Sequence, residues 1–190
     1  MKTRFSIGVA FVALFLLGAA GCGSEEPLSE ADKGLFLRAA DLAGYGFKYE
    51  DADSYEQFSK ARQFDGAYEL TYRFKTPAGE RRPLFIYANV SVARSESDAA
   101  LSESAGKMGV LIGLKGSGIE EREVRMQPDD ERGRLRLLLK GGKPVGNVFT
   151  ARDGVKTYLV LLMGMSFEDA GDWQKLVEPK LQRLSRYAPA

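Results

Sequence analysis

Histidine is absent from the 190 residues, and cysteine occurs once, at Cys22. The first absence excludes every Ser-His or Cys-His nucleophile and every histidine-ligated metal site, which are the commonest catalytic arrangements. The second excludes an internal disulfide and a multi-thiolate metal centre, so stability has to come from packing. An excess of one charge is also missing. With 27 basic and 26 acidic residues, the chain has neither the basic surplus that nucleic-acid binding uses nor an acidic stalk. No long apolar run occurs beyond the N-terminus.

At the N-terminus itself, Lys2 and Arg4 precede an uncharged apolar run from Ile7 to Leu17 that ends in small residues. A positive start, a short apolar stretch and a small-residue exit are the layout of a secretory signal. The uncharged stretch from Phe5 to Cys22 falls short of the ~20 apolar residues that span a bilayer as a helix, so a transmembrane anchor is the weaker alternative. Gly18-Ala19-Ala20-Gly21-Cys22 leads directly to the chain's only thiol.

That segment resembles the bacterial lipobox, although the family prefers leucine where Ala19 stands. The resemblance implies cleavage between Gly21 and Cys22, a diacylglycerol on the Cys22 thiol and a further acyl chain such as palmitate on the new amino group. It implies an exported, membrane-anchored lipoprotein of the cell envelope. With Gly23 rather than an acidic residue after the cysteine, it also implies the periplasmic leaflet of the outer membrane in a Gram-negative host. The competing reading is an ordinary signal peptide with a coincidental cysteine. The expected division is a signal peptide over 1–21, a lipidated polar tether over 22–28 and a single domain over 29–190.

About 165 residues suffice for one domain with a real core. Removing Lys2 and Arg4 leaves 25 basic residues against 26 acidic ones, a mature net charge of −1. Ser29-Glu30-Ala31-Asp32 looks like a capping box, and Leu28, Ala31, Leu35, Ala39 and Leu42 follow helical spacing, which predicts a helix over 29–43 stopped at Gly44. Strands follow at 55–64, at 67–75 with Tyr68, Leu70, Tyr72 and Phe74 alternating, and at 84–92 with Leu84, Ile86, Ala88, Val90 and Val92 on one face. From Ser95 the period becomes helical, and Leu101, Ser104, Ala105, Met108, Leu111 and Ile112 form the expected packing stripe.

The second half echoes the first. Glu121 to Gln127 is too charged to assign firmly, Arg134 to Lys140 alternates Leu135, Leu137 and Leu139, and Gly141-Gly142 and Asp153-Gly154 are hairpin signals. The run from Val155 to Met165 is apolar on both faces, which predicts a central strand covered on each side. A last helix begins near Ser166-Phe167-Glu168-Asp169 and turns Trp173, Leu176, Val177, Leu181 and Leu184 inward, with Pro179 expected to kink it. The fold class is therefore α+β: one antiparallel sheet of six or seven strands flanked by helices, in the order helix, then strand-strand-strand-helix twice. That order resembles the PsbP and Mog1 type of α/β/α sandwich found among accessory lipoproteins, and no functional residue is carried across from it.

Chemistry is sparse. Ser104-Ala105-Gly106-Lys107 matches the S-x-x-K of penicillin-binding enzymes, but the companion motifs are missing and Lys156-Thr157 is followed by Tyr158 rather than glycine. Gly113, Gly116 and Gly118 close a helix, whereas a phosphate loop opens one. The acidic groups Glu50, Asp51, Asp53, Glu56 and Asp129, Asp130, Glu131 lack calcium-loop spacing and read as solvated turns. No cofactor, metal ligand set or catalytic residue is expected.

One candidate binding patch remains. Tyr55, Phe58, Phe64, Tyr68, Tyr72, Phe74, Phe85 and Tyr87 form an aromatic set that reads as core, but Phe85 and Tyr87 point away from Leu84 and Ile86, and if that sheet face is bare these two are an apolar patch rimmed by Arg73, Lys75, Arg81 and Arg82. Three functions stay open. They are a non-enzymatic lipoprotein holding a protein partner, a carrier of a small molecule or lipid between sheet and helix, and an enzyme using two carboxylates.

Overall fold

The computed structural model describes residues 28–47, 54–62, 67–77, 83–126 and 133–188. Seven strands form one sheet: β1 (Tyr55–Arg62), β2 (Tyr68–Lys75), β3 (Phe85–Val92), β4 (Ile119–Val124), β5 (Gly133–Lys140), β6 (Lys143–Asp153) and β7 (Lys156–Met163). The spatial order is β1-β2-β3-β7-β6-β5-β4, and every neighbouring pair is antiparallel. Helices α1 (Glu30–Lys33), α2 (Glu96–Gly116) and α3 (Ala170–Arg186), with a 3-10 turn at Ala39–Tyr45, complete the domain. The fold is α+β as expected, and its second half carries one strand more than the strand-strand-strand-helix echo requires.

The central position of β7 explains its composition. Tyr158, Val160 and Leu162 enter a core shared with Trp173, Leu176, Val177, Leu181 and Leu184 of α3 and with Leu35, Phe36 and Leu37 of the N-terminal segment. Leu159 and Leu161, on the other face, meet Val110 and Leu114 of α2. A strand buried on both faces has no polar side to alternate with, so it reads as a continuous apolar run. Its far end is fixed by backbone proximity. Gly164, at φ 93°, donates its N–H to the Val145 carbonyl at 2.9 Å, and a Cβ there would fall 1.8 Å from the Pro83 carbonyl oxygen, so only glycine fits.

Three expectations are corrected. Residues 29–43 do not form one helix: α1 is a single turn, and the 3-10 turn closes at Gly46 rather than Gly44. Leu35, Phe36 and Leu37 are buried in succession, which a helix with one packed face cannot do. Two tyrosines also draw the backbone away from a helical ladder, as the Leu37 N–H donates to the Tyr158 hydroxyl at 2.8 Å and the Ala39 N–H to that of Tyr72 at 3.2 Å. Leu28, assigned to the tether, is itself buried in the core.

The second correction lies in β5, where Leu138 rather than Leu139 is buried. Leu138 alternates away from Leu135 onto the α2 face, and the pairing register shifts only between Leu138 and Leu139, where the strand nears its end and Leu139 is half-buried. The third concerns α2. Its packed residues are Ala99, Val110 and Leu114, and Gly106 lies on the same face, where a Cβ would be in ordinary contact with Leu159 at 3.6 Å. Of the expected stripe only Leu111 packs, half-buried against the α2-side cluster; Leu101 is 71% exposed, Met108 61% and Ile112 60%, and Ser104 and Ala105 are exposed.

Helix α2 opens with Ser95 as its N-cap, whose Oγ accepts the Asp98 N–H at 3.1 Å. Ser95→Ala is expected to lower stability by about 1 kcal/mol, read from the midpoint of urea unfolding. Asp169 does the same for α3, accepting from Gly171 and Asp172. Pro179 lies within α3, and the five expected inward residues are all buried.

Candidate functional site

The residues carrying the lipidation expectation, Gly21 and Cys22, lie outside the described residues, as do Arg81 and Arg82. Of the expected patch, Phe85, Tyr87, Arg73 and Lys75 are described, the last two exposed. Phe85 and Tyr87 are half-buried and pack against the α2-side cluster, so α2 covers much of that sheet face. Burial raises the Tyr87 hydroxyl's proton affinity above its ordinary value. The exposed Arg73 guanidinium lies 5.8 Å from the Tyr87 ring centre, a cation–π contact closing the edge of the cluster. These two aromatics are therefore part of a packed layer rather than a bare platform.

Bare apolar surface exists instead on α2. Leu101, Met108 and Ile112 stand at positions i, i+7 and i+11, a spacing that lines side chains along one helix face over roughly 16 Å. They are three of the four large apolar side chains described as exposed, the fourth being Tyr55 at 53%. Singly exposed leucines are ordinary, whereas an aligned set is a surface that associates.

A second feature sits at the end of the sheet where β7 begins. A cavity of about 730 Å³ is lined by Ser29, Ala31, Asp32, Leu35, Lys60, Arg183, Arg186, Tyr187 and Ala188. Asp32 is buried on its wall. Its Oδ2 accepts from the Ser29 N–H at 3.0 Å and the Ser29 hydroxyl at 2.8 Å, and its Oδ1 accepts from the Tyr187 hydroxyl at 2.6 Å. Burial alone would raise the Asp32 proton affinity, but these hydrogen bonds outweigh it and hold the carboxyl below its ordinary value. Burial first, and then Asp32, push the Tyr187 phenol up. The Tyr68 hydroxyl behind them is buried, and although the neighbouring Tyr187 hydroxyl tempers its titration, burial dominates and raises it.

Catalytic alternatives lose ground on geometry. Ser104 is exposed on the outer face of α2 rather than on a packed stripe, and no hydrogen bond joins it to Lys107. Glu56 is engaged by Arg38 at 3.0 Å, while Glu50, Asp51, Asp53, Asp129, Asp130 and Glu131 lie outside the described residues. Among the described residues no group of three or more carboxylates or thiols is arranged to hold a metal ion. A cavity of about 240 Å³ beside Tyr45, Phe167, Glu168, Asp169 and Asp172 is acidic, and Asp169 there is occupied in capping α3. No described helix is long and apolar enough to cross a membrane.

No family model matches the chain, and neither a curated protein nor a solved structure matches it.

Proposed function

We propose that this protein is a cell-envelope lipoprotein, anchored through acylated Cys22, whose domain holds a protein partner without performing catalysis. In a Gram-negative host its place is the periplasmic leaflet of the outer membrane. The observation that carries the binding role is the aligned exposure of Leu101, Met108 and Ile112 on α2. The partner is a protein presenting an apolar helix or sheet face, because side chains of this size gain most from displacing water from a complementary surface. The leader and Gly21-Cys22 support the address.

Two measurements test this separately. The intact mass of the native protein is expected to lack residues 1–21 and to carry acyl chains at Cys22; an uncut leader or a free thiol there overturns the address. In cells, the chain carrying both Leu101→Glu and Met108→Glu is expected to fold as the wild type, since neither side chain is packed, and to lose at least tenfold of a specific crosslinked species. Equal crosslinking by both chains overturns the α2 assignment. A crosslink confined to dimers of this chain overturns the accessory role.

The carrier reading has weaker support. A ligand between sheet and helix would need an enclosed apolar space of about 300 Å³ or more, whereas the larger cavity lies at the sheet's end and is rimmed by Lys60, Arg183 and Arg186. Its chemistry suits a different ligand.

A further inference from the structure

The cavity at the end of the sheet gathers charge that the chain as a whole does not have. Lys60, Arg183 and Arg186 line it, and the one carboxylate among the described residues of its wall, Asp32, has its oxygens engaged by Ser29 and Tyr187. Among the described residues of the lining three cations stand beside one carboxylate, in a mature chain whose net charge is −1. Arg183 is steadied by a neutral group, its Nη1 donating to the Gly34 carbonyl at 3.1 Å. Arg186 makes no ion pair among the described residues.

Another source of negative potential is muted. The carboxyl end of α3 would normally repel an anion, but the Lys156 ammonium donates to the Leu184 and Ser185 carbonyls at 2.9 and 3.0 Å. Ala31 and Leu35 supply an apolar wall beside the cations. The combination suits a ligand with a phosphate-type oxyanion and an attached hydrocarbon or glycerol part.

Position completes the argument. Ser29, on the cavity wall, is seven residues from Cys22, and seven residues span at most roughly 25 Å. If Cys22 carries the acyl anchor, the cavity cannot be farther than that from the bilayer surface. Registers place Lys60 opposite Leu70, Leu70 opposite Val90 and Val90 opposite Tyr158 near the start of β7. The β5–β6 hairpin with Lys143 lies at the other end of the sheet, beside Met163.

We propose that the cavity formed by Lys60, Arg183, Arg186 and Tyr187 binds the phosphate of an anionic phospholipid headgroup and so fixes which face of the domain meets the membrane. This orientation rests on the lipoprotein reading, while the headgroup site itself does not. With the site occupied, the sheet lies end-on to the membrane, with the β7 start toward the lipid and the β5–β6 hairpin away.

The mature chain carrying Cys22→Ser, which cannot be acylated, is mixed with vesicles of phosphatidylglycerol or of phosphatidylcholine. It is expected to sediment with the first and not the second. Each cation removed is expected to weaken binding roughly fivefold, so Arg186→Gln alone costs about that factor and the variant with Lys60, Arg183 and Arg186 all changed to Gln costs on the order of a hundredfold. Arg186 is exposed, so its single substitution reads binding even if the triple variant folds poorly. Equal binding to both vesicles, or Arg186→Gln without effect, overturns the site. Binding of inorganic phosphate by the unanchored chain with no association to phosphatidylglycerol vesicles assigns a free phosphate ligand and overturns the lipid assignment.

The native acylated chain supplies the orientation. In phosphatidylglycerol vesicles, chemical acetylation of Lys60 is expected to slow severalfold relative to phosphatidylcholine vesicles, while exposed Lys143 reacts equally in both. Uniform reactivity overturns the orientation and leaves acylation untouched. An unacylated Cys22 found by mass spectrometry overturns the lipoprotein reading and leaves the sedimentation result standing.

Discussion

Asn147→Ala is expected to remove about 3–5 kcal/mol of stability, the combined cost of two backbone groups left without partners and of a small cavity. Asn147 lies on β6 and is fully buried. Its Oδ1 accepts the Phe167 N–H at 2.7 Å, and its Nδ2 donates to the Phe167 carbonyl at 2.9 Å. Phe167 belongs to the connection between β7 and α3, which has no regular secondary structure and hence no ladder to satisfy its main chain. The side-chain amide acts as a one-residue strand partner.

What depends on that clasp is the approach of α3 to the sheet. The Phe167 ring meets Trp173 edge-on at 5.5 Å and Tyr45 at 5.1 Å, and Trp173 in turn lies 5.7 Å from Phe149 of β6. Freeing the Phe167 backbone therefore loosens the largest aromatic group in the core. For a domain of this size the loss corresponds to a melting temperature lower by on the order of 10 °C. Asn147→Asp keeps the acceptor for the Phe167 N–H but faces the Phe167 carbonyl with an oxygen, so it should be nearly as damaging at pH 7 and less so when protonated. A change of less than about 1 kcal/mol on Asn147→Ala would show that the connection holds itself.

Little of this was visible in the residues. Strands β2, β3 and β7 were legible because a sheet buried on a known face imposes alternation, and a sheet buried on both imposes a continuous run. The exceptions have physical reasons. In α2 the packed face is built from Ala99, Gly106, Val110 and Leu114, whose small members carry little hydrophobic signal, while the larger Leu101, Met108 and Ile112 produced the stronger periodic pattern and face solvent. In residues 29–43 the helical spacing was real, yet hydroxyls from Tyr72 and Tyr158, distant in sequence, captured the backbone donors. The basic cavity joins Ser29 and Asp32 to Lys60 and to Arg183, Arg186 and Tyr187, positions that no local motif connects. Phe85 and Tyr87 were recognisable as a pair set apart from Ile86, but whether they were covered depended on where α2 came to rest.

The same two tyrosines lead to the second large effect, a steep loss of stability in alkali. Burial raises the Tyr72 and Tyr158 phenols well above their ordinary value. Each hydroxyl also accepts a backbone N–H, which favours the phenolate, but desolvation dominates. The unfolded chain sheds these protons near pH 10 while the folded chain keeps them. Below pH 10 the contribution is complete; as pH climbs above it the unfolded state binds fewer protons, and stability falls by up to about 1.4 kcal/mol per pH unit for each phenol. Together they approach a loss of about 5 kcal/mol by pH 12, comparable with the whole stability of many domains. Tyr158→Phe should lower stability at pH 7 by about 1–3 kcal/mol, because the Leu37 N–H loses its acceptor, and should flatten the alkaline slope by the share of one proton. Since Tyr87 and Tyr187 are raised as well, the difference between variants carries the test: urea midpoints from pH 8 to 12 that fall in parallel for wild type and Tyr158→Phe would mean that the phenol over Leu37 is not the group that alkali attacks.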